Sequence, residues 1–143
     1  MWHRLLRIVL HGSVAFCLSA CGYQYETIRC VRTVTVPHND SQAISVQVNF
    51  TAYVAYIHNS SDIALTNNDA ISRLAKGDVE GALTLLQPVI FTGEPAVLNN
   101  YGIALILKGD FDMGYEYIYK AAVLKPHNPY FRKNYLYLHE LKQ

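Results

Sequence analysis

Between Ile44 and Val54 apolar and polar residues alternate without a break. Ile44, Val46, Val48, Phe50, Ala52 and Val54 stand between Ser45, Gln47, Asn49, Thr51 and Tyr53. A period of two sends every second side chain to one face, so this run predicts a half-buried β-strand. An earlier stretch, Thr27 to Val36, is rich in threonine and valine and predicts another strand. The cluster Pro37-His38-Asn39-Asp40-Ser41 lies between the two and supplies a turn, so the pair reads as a β-hairpin. A lone hairpin is marginal in water. Its apolar face is therefore expected to pack on the rest of the chain or on another chain.

From about residue 62 the spacing becomes helical, and it repeats. A shift of 32 residues carries Ala64 to Ala96, Asn67-Asn68 to Asn99-Asn100, Ile71 to Ile103 and Lys76-Gly77-Asp78 to Lys108-Gly109-Asp110. A self-match at such a period signals an array of helix pairs. The boundaries follow from local chemistry. Gly109 suits a left-handed helix end, and Asp110 suits the cap of the next helix. Pro126 stops the second helix of the second copy. Asn128-Pro129 then opens a fifth helix that runs from Tyr130 to Lys142, where Asn134-Tyr135 echo Asn100-Tyr101. Pro88 falls inside the second helix of the first copy and should kink or shorten it.

The second copy resembles a tetratricopeptide repeat. Gly102, Leu105, Gly109, Phe111, Ala121 and Pro126 stand at that family's spacing, with Gly114 in place of the usual alanine. The first copy is more degenerate, with Arg73 where an apolar residue is expected. The resemblance covers about residues 62–142. It implies a mainly α fold: two tetratricopeptide-like helix pairs and a C-terminal capping helix, preceded by the β-hairpin. It also implies an inner groove lined by the first helix of each pair, which carries Asn67, Ile71, Leu74, Asn99, Asn100, Ile103 and Ile106. Of these, Asn67, Ile71, Asn99, Asn100, Ile103 and Ile106 are the expected peptide-binding residues, because asparagines recurring at one helical position can hydrogen-bond an extended backbone. The alternative for the asparagines is the polar face of a short array. Two pairs and a cap leave one end of the array to be covered by the hairpin or by a second copy of the protein.

The N-terminus reads differently. Arg4 and Arg7 precede a short apolar stretch, Ile8 to Leu18, that His11 and Gly12 interrupt. Such a segment is too short to span a membrane and has the layout of a signal peptide. It closes on Leu18-Ser19-Ala20-Cys21, which resembles a bacterial lipobox. The resemblance implies cleavage before Cys21, lipidation of Cys21 and anchoring to a membrane. Gly22 in place of aspartate resembles the outer-membrane-sorted class, on the periplasmic face. The expected organisation is a signal peptide over 1–20, a lipidated N-terminus with linker and hairpin over 21–61, and a helical domain over 62–143.

Composition narrows the chemistry. Charged residues make up 16% of the chain, against about 25% in an average soluble domain. Hydrophobic residues make up 51%, enough for a core. Loss of Arg4 and Arg7 leaves ten basic against eleven acidic side chains, so no general attraction to nucleic acid is expected. With Cys17 removed and Cys21 acylated, Cys30 is the remaining thiol; in a strand-like run it reads as packing rather than as a nucleophile. His38, His58, His127 and His139 show no metal-ligand spacing, and no metal or cofactor is called for. Asp78 with Glu80 and Asp110 with Asp112 begin helices, so they read as caps rather than as paired catalytic carboxylates. Tyr115, Tyr117, Tyr119, Tyr130, Tyr135 and Tyr137 crowd the last third and suit either an interface or packing between the final helices. No catalytic constellation stands out. The expected role is a lipid-anchored scaffold or assembly factor that binds a protein or peptide partner in the envelope, of the pilus- or secretion-accessory kind. The alternative is a structural subunit that joins a complex by β-strand addition.

Overall fold

The computed structural model describes residues 22–38 and 42–142. The signal segment 1–20 and Cys21 lie outside the described residues, as do Asn39, Asp40 and Ser41 of the expected turn. Among the described residues the protein is mainly helical, with a two-stranded antiparallel hairpin ahead of five α-helices. The strands are β1 (Tyr23–His38) and β2 (Gln42–Ile57). Their register runs unbroken from Tyr23 opposite Ile57 to His38 opposite Gln42. Both strands are longer than the alternation predicts. Tyr23 and Tyr25 join the ladder opposite Ile57 and Ala55 at the hairpin root, where β2 is packed against the helices.

The helices are α1 (Asp62–Ala75), α2 (Val79–Leu86), α3 (Pro95–Lys108), α4 (Phe111–Leu124) and α5 (Pro129–Lys142). Side chains cap their starts. Ser61 accepts from the Ala64 N–H, Asp78 from Gly81 and Asp110 from Met113. Asn128 Oδ1 accepts from both Tyr130 N–H and Phe131 N–H at 3.0 and 3.1 Å. The two acidic pairs therefore have their leading carboxylates engaged in caps. The Gly81 N–H and the Arg73 guanidinium hold the Asp78 carboxyl below its ordinary pKa. Gly109 ends α3 at φ 106, in the left-handed region that favours glycine. Pro88 acts as expected: α2 is 8 residues long against 14 for α4, and Gln87–Thr92 continue as a 3-10 segment.

Helix α3 is the centre of the molecule, with eleven buried residues from Pro95 to Ile106. It packs closely on α4. A Cβ on Gly102 would lie 2.7 Å from the Gly114 carbonyl oxygen, and one on Gly114 would lie 2.6 Å from the Gly102 carbonyl oxygen. The glycine that departs from the family pattern thus has a packing reason. The hairpin divides the core in two. Ala55 and Ile57 belong to a cluster with Ala64, Ala96 and Phe131. Cys30, Phe50, Ala52 and Val54 belong to a second cluster with Ile71, Ile103, Ile118 and Leu138.

Candidate functional site

Strand β2 enters the helical layer edge first. The His58 N–H donates to the Gly22 carbonyl at 2.9 Å, which continues the ladder one step past Ile57. In an antiparallel pair the inward and outward groups alternate along each strand. The N–H and C=O groups of Tyr53, Ala55 and Ile57 therefore point away from β1 and into the helices. Buried without partners, each such group would be destabilising by about 1–3 kcal/mol.

Asparagines from three helices meet them. Asn68 on α1 accepts from the Ile57 N–H and donates to its carbonyl, both at 3.0 Å. Asn100 on α3 does the same for Ala55 at 2.9 and 2.8 Å. Asn134 on α5 does so for Tyr53, at 2.8 Å in both directions. Each carboxamide thus takes the place of a residue in a neighbouring strand. A second row completes the pattern. Asn67 donates to the Ala55 carbonyl and to Asn68 Oδ1, and Asn99 donates to the Tyr53 carbonyl and to Asn100 Oδ1. Asn100 further donates to Asn67 Oδ1 and Asn134 to Asn99 Oδ1, so the amides also tie α1 to α3 and α3 to α5.

The same helices supply apolar flanks. Ala64, Ala96 and Phe131 precede the asparagines by about one turn and cluster with one face of the hairpin. Ile71, Ile103 and Leu138 follow by about one turn and cluster with the other. β2 is thereby held by both faces and one edge. Aromatic rings add contacts on both faces of the hairpin. Tyr25 stacks on Tyr130 at 4.1 Å and Phe50 on Tyr137 at 5.5 Å. The Tyr23 hydroxyl donates to Glu94, and the Asn128 amide donates to the Tyr25 hydroxyl.

Of the six residues expected to bind a peptide, Asn67, Asn99 and Asn100 bind an extended backbone that belongs to the same chain. Ile71 and Ile103 join the core on one face of the strand, while Ile106 lies where α3 meets Gly114 of α4. Asn68 and Asn134 complete the ladder and were not among the six. Both were marked in the sequence, Asn68 as the counterpart of Asn100 and Asn134 as its echo 34 residues on. Among the crowded tyrosines, Tyr130 and Tyr137 pack on the hairpin, and Tyr117 meets Tyr101 edge-on at 4.8 Å.

The carboxamide ladder stops at Tyr53; beyond it the outward Asn49 carbonyl accepts from the Tyr137 hydroxyl at 3.5 Å. At the place of Asn67 and Asn99, α5 carries Lys133, whose ammonium lies 5.6 Å from the Tyr53 ring centre. Past that point a groove of about 550 Å³ opens between β2 and α5, lined by Asn49, Phe50, Thr51, Leu136 and Tyr137 among others. Further out, Ser45, Gln47 and Asn49 are exposed, and so is Val46 at 44%. The two edges of the hairpin differ in composition. β1 contains Glu26, Arg29, Arg32 and Pro37, whereas β2 contains no charged residue, proline or glycine over its whole length.

Cys30 is fully buried, and burial pushes its thiol up to about 12. It stays protonated at neutral pH, which removes the thiolate that nucleophilic chemistry requires. Burial, followed by the nearby Glu26 carboxylate, raises Tyr56 to about 12. Among the described residues no three His, Cys, Asp or Glu side chains gather as metal ligands, and no helix is long and apolar enough to cross a membrane. Comparison of the chain with protein-family models, curated proteins and solved structures finds no match.

Proposed function

We propose that this protein is a lipid-anchored component of the bacterial envelope, non-enzymatic, in which two tetratricopeptide-like helix pairs and a capping helix grip the root of a hairpin and present its far half to a protein partner. The partner joins by adding a strand to the outer edge of β2 from Ser45 to Asn49, displacing the long 3.5 Å contact of the Tyr137 hydroxyl with the Asn49 carbonyl. One observation carries this reading. The groove expected to receive a foreign peptide holds the chain's own β2, while the same edge beyond Tyr53 has no amide ladder. An edge held so sparsely is a template for another strand, and proteins usually guard such edges with charge or proline. β1 has both guards, and β2 has neither. Anchoring rests on the lipobox ending at Cys21, and the outer membrane remains the expected site. A pilus- or secretion-accessory role fits a contact protein of this design.

The test uses proline at an outward position. Gln47 is odd-numbered like Tyr53, Ala55 and Ile57, so its N–H points away from β1 and the hairpin ladder does not use it. Gln47→Pro removes a donor needed for strand addition and should leave the fold in place. In crosslinking from native membranes followed by mass spectrometry, the wild-type protein should capture envelope partners that Gln47→Pro loses. Full retention of those partners by a folded Gln47→Pro protein would exclude strand addition at this edge.

A further inference from the structure

Two exposed apolar side chains lie on elements that pack around the root of the hairpin. Phe91 is 88% exposed and Leu65 is 60% exposed. Leu65 follows Ala64 on the first turns of α1, and Ala64 belongs to the same core cluster as Ile57 at the end of β2. Phe91 belongs to the 3-10 segment, whose Val89 and Ile90 pack partly against that cluster. Gly93, at φ 70, then turns the chain into α3. Phe91 therefore stands out from a fixed knuckle. One residue past the turn, Glu94 accepts the hydroxyl of Tyr23. Tyr23 is the first residue of β1, and the Gly22 carbonyl is already bonded to the His58 N–H. A single ordered residue thus separates position 21 from the folded body.

We infer that Phe91, with Leu65, forms a second contact with the bilayer, seated at the boundary of headgroups and acyl chains beside the acylated Cys21. This rests on the anchor reading of Cys21. An acyl anchor on a long linker would leave the body free to tumble above the membrane. Here one residue adds only about 3.5 Å of reach, so the surface around Gly22 must meet the headgroups. An aromatic ring exposed there leaves water for the interface, and this adds to the hold of the acyl chains. Of the other exposed apolar side chains, Val31 and Val46 lie on the outer hairpin, Met113, Val123 and Leu124 on α4 and Leu136 on α5. β2 passes Asn68 of α1, then Asn100 of α3, then Asn134 of α5 as it leaves its root. Two contacts at the root would fix the orientation and leave the stretch from Ser45 to Asn49 accessible to a partner.

The chain contains one tryptophan, Trp2, which leaves with the signal peptide. Phe91→Trp therefore places a lone reporter in the mature lipidated protein, at an exposed position that tolerates it. In phosphatidylcholine vesicles its emission should shift to shorter wavelength, and it should lose intensity when the acyl chains are brominated. Leu136→Trp, on the far helix, should show neither change. A Phe91→Trp protein that carries labelled fatty acid and floats with the vesicles, yet is not quenched by brominated lipid, would overturn this inference and leave the anchor standing. A protein that takes up no labelled fatty acid would overturn both.

Discussion

The inner and outer halves of β2 share one edge and one uncharged composition, but they meet opposite surroundings. From Tyr53 to Ile57 every outward N–H and C=O is bonded to an asparagine carboxamide, and apolar clusters cover both faces. From Ser45 to Thr51 the strand is paired with β1 on one side and its other edge has no carboxamide ladder; there α5 supplies Tyr137, which stacks on Phe50 and donates its hydroxyl to the Asn49 carbonyl at 3.5 Å. Seven residues of a strand span roughly 23 Å, so the outer stretch extends well past the ladder rather than being a fraying end. The contrast shows what the helical array does here. It acts as a side-chain substitute for a third strand, and it acts only where its three inner helices reach.

The largest effect should come from breaking the inner half. Asn100→Ala removes both bonds to Ala55 and the link to Asn67 at a fully buried site. It should lower stability by about 3 kcal/mol in urea unfolding, because the Ala55 N–H is left without a partner. A loss under about 1 kcal/mol would mean that the ladder contributes little and that the flanking clusters hold the strand alone. Gly102→Leu tests the same half without touching an amide. Its side chain would meet the backbone of α4 and displace α3, at a cost of about 2 kcal/mol. An unchanged thermal midpoint would show that the close α3–α4 crossing does not position the ladder.

Alkaline titration separates the halves in another way. Cys30 lies opposite Phe50, where the outer stretch begins and the core cluster ends, and its thiol is raised from 9.0 to about 12. Between those values the unfolded chain has released the proton while the folded chain keeps it. Stability is therefore full below pH 9 and falls as pH rises from 9 towards 12, by about 1.4 kcal/mol per pH unit for this one group. Tyr56, raised from 10.0 to about 12, adds a second loss above pH 10. Urea unfolding of Cys30→Ala across this range should show a shallower fall than wild type; equal slopes would indicate that the thiol is not held protonated by the fold. The smallest effect belongs to the outer half. Gln47→Pro should change stability by no more than about 0.5 kcal/mol, the scale of a surface substitution away from any bonded group. A loss comparable to Asn100→Ala would show that the outer edge is part of the folded core and would end the distinction between the halves.

Much of this architecture was legible in the amino-acid order. The alternation from Ile44 to Val54, the caps at Asp78, Asp110 and Asn128, the left-handed Gly109 and the interruption at Pro88 each depend on a few neighbouring residues, so hairpin, helices and breaks follow from local rules. The recurring asparagines were equally visible, and so was their fitness to bind an extended backbone. The identity of that backbone was not. Ala55 and Asn100 are 45 positions apart, and Tyr53 and Asn134 are 81 apart. A carboxamide carries no information about which N–H and C=O it will meet; that is decided by which strand edge the folded helices enclose. The tertiary structure alone made Asn134 part of the same row as Asn68 and Asn100 and extended the strands to Tyr23 and Ile57. By filling the groove from within, it also left the outer half of β2 beyond the reach of the asparagine ladder.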